Sequence, residues 1–193
     1  FTIPEDWDGK EIFINFDGVD SFFYLWINGQ YVGFSKNSRN TASFNITKYL
    51  VKGTNVVAVE VYRSSDGSFL EAQDMFRLPG IYRTVALQAV PQLHVRDLVV
   101  TPDLDATYTD GELKINADIR NLGKKAAKGY SMVYSLYANQ LYSDDNTEVN
   151  NAGISTPVAV VEAGQEVTAE TTLKVQKPNK WSVSYTHLRA HET

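Results

Sequence analysis

Residues 22–34 read FFYLWINGQYVGF, which is Phe22 to Ile27, an Asn28-Gly29 step, and Gln30 to Phe34. Aromatic and β-branched runs of this kind pack well on a pleated surface and favour strands. Asn-Gly suits a two-residue hairpin turn, because both turn positions must accept φ > 0. The stretch therefore predicts an antiparallel hairpin, with Trp26, alternating within its strand, assigned to the core. The pattern continues outward in both directions. EIFINF puts Ile12, Ile14 and Phe16 on one face, and VVAVEVY puts Val57, Val59 and Val61 on one face. SFNITKYL leads into a Lys52-Gly53-Thr54-Asn55 turn, and TVALQAV closes the block. Helical periodicity is almost absent, and short strands with Gly and Asn turns predict a sandwich.

Pro91 and Pro102 bracket a change of texture. The first domain is therefore set at residues 1–92 and the second at 93–182. In the second, LKINADIR alternates Leu113, Ile115, Ala117 and Ile119 inward, with Lys114, Asn116, Asp118 and Arg120 outward. VTAETTLKV alternates Val167, Ala169, Thr171, Leu173 and Val175 in the same way. This is an antiparallel sheet with one wet face, and its length suits an immunoglobulin-like sandwich. The acidic stretch YSDDNTEVNNAG lacks the spacing of an EF-hand calcium loop and reads as a solvated loop. The last segment breaks the pattern: VSYTHLRAHET resembles the translated read-through of a sequencing-library adapter. Residues 183–193 are accordingly expected to be a non-native tail, and the His187/His191 pair at i, i+4 is set aside as a metal site.

Composition excludes several classes. The 193 residues carry a net charge of −5 with no basic block, which argues against a nucleic-acid partner. No apolar run approaches the ~20 residues of a membrane span, so no membrane partner is expected. The chain has no cysteine, which removes disulfides, thiolate metal sites and a cysteine nucleophile. The cytoplasm and the periplasm fit equally well.

Chemistry concentrates in SSDGSFLEAQDMFRLPGIYR, Ser64 to Arg83, where Asp66, Glu71, Asp74, Arg77 and Arg83 interrupt the strand pattern. Three readings are open on residue types alone. Glu71 and Asp74 would serve as paired carboxylates on a glycosidic bond, given a rigid frame to set their separation. Alternatively, Asp66-Gly67 makes a turn while Arg77 and Arg83 neutralise the acids. In the third reading, the loop reaches away from its own sandwich and lends a carboxylate to a neighbouring domain.

Seven motifs occur in order along the first 91 residues. They are Phe16-Asp17-Gly18-Val19, Trp26 with Asn28-Gly29, Ser38-Arg39, Gly53-x-Asn55, Ser65-Asp66-Gly67-Ser68, Gln73-Asp74-Met75 and Gly80-Ile81-Tyr82-Arg83. Together they resemble the sugar-binding jelly-roll domain of glycoside hydrolase family 2, the Gln73-Asp74-Met75 loop pointing to its β-galactosidases. The second block resembles the immunoglobulin-like domain that follows, with KPNKWS as its closing segment. The fold class expected is thus all-β, a jelly-roll β-sandwich followed by an immunoglobulin-like β-sandwich.

The resemblance implies a parent enzyme that hydrolyses terminal β-D-galactosides with retention. Two glutamates of a C-terminal catalytic barrel, neither in this chain, would do the covalent chemistry; the chain alone is expected to be inactive. It further implies that Asp74 binds a sugar hydroxyl and a monovalent cation, Na⁺, with Mg²⁺ also expected in the parent. Gln73, Arg77 and Glu71 would support Asp74, while Phe69, Met75, Phe76 and Tyr82 anchor the loop's root. The implied partners are the β-galactoside, the chain's own barrel and further copies in a homo-oligomer. Ser64, Ala72, Phe76 and Asn40-Thr41-Ala42 depart from the family's usual residues, and Ala72 leaves sugar preference open. The family has further jelly-roll strands before Phe1, so exposed edges and marginal stability are expected. The rival is a stand-alone carbohydrate-binding or adhesin module, which would need a row of exposed aromatics.

Overall fold

The computed structural model describes residues 1–71, 74, 76–139, 146–149 and 154–180. Gln73, Met75, most of the acidic stretch 142–153 and the tail 183–193 lie outside the described residues. The chain divides into two compact units, Phe1–Gln92 and Leu93–Thr193. Both are built from antiparallel strands, and the fold class is all-β as expected.

The first unit contains β1 (Glu11–Phe16), β2 (Val19–Asp20), β3 (Phe22–Ile27), β4 (Gln30–Ser35), β5 (Ala42–Asn45), β6 (Val57–Tyr62), a single helical turn α1 (Gly67–Leu70), β7 (Gly80–Ile81) and β8 (Val85–Val90). They form the sheets β5-β1-β8 and β4-β3-β6, with β2 and β7 as a separate pair. The core cluster takes Ile12, Ile14 and Phe16 from β1, and Phe23, Leu25 and Ile27 from β3. Leu25, Ile27 and Ile46 are wholly inaccessible to solvent, and each such side chain contributes about 1.5–3 kcal/mol relative to exposure. Val59 and Val61 pack against this core; Val57, at the strand's start, is exposed instead.

The predicted turn is present, with Asn28 at φ 50° and Gly29 at φ 76°. Its side chain does more than accept that conformation. Asn28 donates to the carbonyl of Tyr49 and to Oδ1 of Asn55, and accepts from the Val56 N–H. Asn55 is buried and ties Val51 and Gly53 to the same cluster. Buried amides of this kind are tolerated because every polar atom finds a partner.

Trp26 is not in the core. The core-facing residues of β3 are Phe23, Leu25 and Ile27, which puts Phe22, Tyr24 and Trp26 on the opposite, half-exposed face. Because both faces of this strand are apolar, alternation did not say which one points inward.

The second unit contains β9 (Leu93–Leu104), β10 (Gly111–Asn121), β11 (Ser131–Tyr134), β12 (Tyr137–Asn139), β13 (Asn146–Glu148), β14 (Ile154–Pro157) and β15 (Glu166–Val175). Its three-stranded sheet runs β15-β10-β9, accompanied by the pairs β11-β14 and β12-β13. Ile115, Tyr134 and Leu173 form one buried cluster, and Ile119, Val161 and Ala169 a second. The inward and outward alternation of β10 and β15 follows the pattern read from the sequence. On the wet face Arg96 of β9 donates to both oxygens of Glu166, at 2.6 and 2.9 Å, and to Asp118 at 2.8 Å.

Candidate functional site

The segment between β6 and β7 leaves the sheet and is tied down at its root by hydroxyls. Ser21 follows β2 and is buried; its Oγ lies 2.6 Å from that of Ser68 and 2.9 Å from that of Ser65. The Ser65 N–H donates to Ser68 Oγ at 2.9 Å, closing a three-serine cluster. Asp66 then caps α1, its Oδ1 accepting from the Gly67 N–H, while Oδ2 pairs with Lys36 at 2.9 Å. The Lys36 ammonium, followed by the Gly67 amide, holds the Asp66 carboxyl below its ordinary range.

Glu71 ends the turn and points back to the sandwich. Its carboxylate accepts from the Ser38 N–H at 3.0 Å and from the Ser38 hydroxyl at 2.5 Å. Ser38 is buried, and its carbonyl accepts from the Tyr82 hydroxyl at 2.5 Å. Gly18 permits that geometry: a Cβ there would lie 2.7 Å from the Tyr82 ring. Arg39 and Arg83 each sit with the guanidinium carbon 5.6 Å from the Tyr82 ring centroid, a cation–π distance. Arg77 lines a small cavity here with Asp20, Arg39, Ser68 and Glu71.

Within α1 and after Glu71 the apolar side chains turn outward. Phe69 is 82% exposed, Leu70 88%, Phe76 94% and Leu78 72%. Phe69 and Phe76 therefore do not anchor the loop against the sandwich, contrary to the sequence expectation. Polar groups anchor it instead, with Tyr82 the one expected aromatic that contributes, through its hydroxyl. Among the described residues Asp66 pairs with Lys36 and Glu71 hydrogen-bonds Ser38, while Arg77 lines the same small cavity as Glu71. Ser21, Ser38, Ser68 and the Tyr82 hydroxyl carried no sequence signal for this role, since their partners are 33–47 residues apart and meet only through the fold.

Asp74 lies in an exposed bend of this loop. Glu71 and Arg77 sit at the root, and Gln73 lies outside the described residues. Among the described residues no cluster of three or more His, Cys, Asp or Glu side chains stands ready for a metal. One exposed carboxylate does not make a coordination shell, so a cation on Asp74 would need its remaining oxygens from outside the described residues.

Residues 1–91 match the sugar-binding domain of glycosyl hydrolases family 2. The first unit belongs to that family. Over 188 residues, 97% of this chain, the sequence is 39% identical to a β-galactosidase of Priestia megaterium. It is 41% identical over 189 residues to a β-galactosidase of Aeromonas hydrophila. The chain spans only 17–18% of the length of these relatives. Among solved structures, a Bacteroides uniformis β-glucuronidase superposes with a TM-score of 0.77 at 24% identity, covering 94% of this chain and 22% of that one. A putative β-galactosidase from Bacteroides fragilis gives 0.72 at 20% identity over 93% of this chain and 27% of that one. At these identities the likeness is one of fold.

Proposed function

We propose that this chain is the non-catalytic N-terminal part of a retaining β-galactosidase that hydrolyses terminal β-D-galactosides. Its loop at 64–79 delivers Asp74 to an active site whose catalytic glutamates lie in a domain outside the chain. The observation that carries the reading is the division of labour within the loop. A polar root is clamped by Glu71, Ser38 and the serine cluster, while Phe69 and Leu70 of α1 and Asp74, Phe76 and Leu78 after it are exposed.

Physically, a loop that only joined β6 to β7 would shed Phe69, Leu70, Phe76 and Leu78 or bury them. Left exposed together, they mark a surface covered by another part of a larger protein. Held against a neighbouring domain, Asp74 would accept two sugar hydroxyls, and a carboxylate does this more strongly than a neutral acceptor. In the same reading Asp74 supplies one oxygen to a monovalent cation, Na⁺, whose other ligands, like any Mg²⁺ site, belong to the parent enzyme. Glu71 and Arg77 act as positioning residues through the loop root. The chain by itself hydrolyses nothing, and the homo-oligomer of the parent forms through the larger protein.

A chimera tests the reading. Substituting this chain for the aligned residues of the Priestia megaterium β-galactosidase is expected to give a folded enzyme that cleaves a β-galactoside. A chimera that folds and retains the native oligomer of that enzyme, yet shows no turnover, would overturn it.

A further inference from the structure

Both legs of the loop between β6 and β7 come down on β2 and the residue after it. The outgoing leg is held at Ser21, whose hydroxyl meets those of Ser65 and Ser68. The return leg enters β7 at Gly80, the register partner of Asp20. Asp20 thus stands at the foot of the return leg, and Glu71 at the end of the outgoing one. Each oxygen of a carboxylate can accept more than one hydrogen bond. Glu71 takes one bond from Ser38 on each oxygen and so keeps lone pairs to spare.

Asp20 is only 8% exposed. Among the described residues its side chain has one hydrogen bond, a long one of 3.5 Å from the Ser38 hydroxyl. A buried carboxylate so thinly partnered is costly. Asp20 lines a cavity of about 10 Å³ together with Arg39, Ser68, Glu71 and Arg77. Two acidic and two arginine side chains therefore surround one small space, yet among the described residues no ion pair within 4.0 Å joins them. Arg39 is committed to Tyr82, its guanidinium over the ring and its Nη1 3.5 Å from the hydroxyl. Opposite charges that ring a space without touching are placed for a bridge through solvent.

We propose that this cavity binds one ordered water, which donates to the Asp20 and Glu71 carboxylates and accepts from the Arg77 guanidinium. The water ties the two legs of the loop to each other and to β2, and Asp20 is a positioning residue for the return leg. The lining selects this guest. Two guanidiniums repel a cation and two carboxylates repel an anion, whereas a water donates and accepts at once. The space matches the room that one water centre needs, and a buried water makes about three hydrogen bonds. Asp20, Glu71 and Arg77 supply that number. The inference concerns the frame of the loop and holds whatever Asp74 binds.

Water–protein NMR on the full 193-residue chain tests it. Nuclear and rotating-frame Overhauser peaks from water to the Asp20 Hβ and Arg77 Hδ protons should have opposite signs, the mark of a held water. The backbone order parameters of Arg77 and Leu78 should be about 0.85, as in rigid structure. Asp20→Ala should erase the water peaks and lower those order parameters below about 0.6. Asp20→Asn, which keeps a carbonyl acceptor, should retain both signals. Arg77→Met should erase the water peaks at Asp20 while leaving the Ser38 amide shift in place, because the Glu71 contact remains. Circular dichroism of each variant checks the fold. Should Asp20→Ala unfold, the exposed Arg77→Met change still decides the matter. The proposal is overturned if the native chain shows no held water, if the Asp20 peaks survive Arg77→Met, or if Asp20→Asn behaves as the alanine variant does. It is equally overturned if the order parameters follow the identity of the salt at fixed ionic strength, which would assign the cavity to an ion.

Discussion

The carboxylate of Glu71 holds the buried Ser38 at two points, accepting from its N–H and its hydroxyl across 33 residues of sequence. The contact fastens the end of α1 to the segment after β4, and Tyr82 fastens the same Ser38 from the other side through its carbonyl. Everything beyond Glu71 in the loop inherits its direction from this clamp.

Glu71→Ala should therefore cost about 1–3 kcal/mol of unfolding free energy, because it orphans the Ser38 amide and hydroxyl. Urea titration of the chain measures this directly. Ser38→Ala in the same background should add little, since the two residues share one interaction. Additive losses would show that Glu71 and Ser38 act separately.

Asn55 links the β3–β4 turn to the turn before β6 through four side-chain hydrogen bonds while fully buried. Asn55→Ala should destabilise the first unit by about 3 kcal/mol, by leaving several buried groups unpaired. Asn28→Gly keeps the turn conformation but loses the links to Tyr49, Asn55 and Val56, so its cost should be smaller but not zero. Thermal unfolding followed by circular dichroism ranks the two.

These contacts also separate what could be read in the sequence from what could not. Asn28-Gly29 between two strand-forming runs specified a hairpin locally, and β10 and β15 alternated cleanly enough to assign each face. Trp26 was misplaced because FFYLWI is apolar on both faces, so only the pairing with Ala58 and Tyr31 decides its side. Phe69 and Phe76 were expected to anchor the loop because large apolar side chains usually bury themselves. The structure gives that work to hydroxyls and Glu71, whose partners become neighbours only after the strands have paired. Residue types marked Asp74 only as a possible partner of Glu71; its role toward a sugar and a cation came from resemblance, and its exposed bend gives no physical signal for that role.

Acid should weaken the second unit. Arg96, chiefly by hydrogen bonding, holds Glu166 below its ordinary value of 4.5. Hydrogen bonds from the Thr109 amide and the Thr107 hydroxyl hold Asp105 below its ordinary 3.8. A carboxyl depressed on folding stabilises the folded state above its unfolded pKa, and that stability is lost as pH falls through the lowered folded value. Urea midpoints should therefore fall as pH is taken from about 6 to about 3. Arg96→Met should flatten the part of that fall due to Glu166, and an unchanged slope would contradict the assignment.

The exposed loop tip should govern association without governing folding. Phe69→Ser with Phe76→Ser should lower light scattering of the concentrated chain while shifting unfolding free energy by no more than about 0.5 kcal/mol. A large loss of stability would mean that those rings are buried in solution.

The delivery of Asp74 to a sugar pocket is tested most directly by kcat/KM for a β-galactoside in the Priestia megaterium chimera carrying Asp74→Ala. Loss of charge-assisted bonds to the substrate predicts a fall on the order of 100-fold, with the fold and oligomer unchanged. Turnover within about twofold of the parent chimera would show that Asp74 never reaches the sugar, and the central claim would fail.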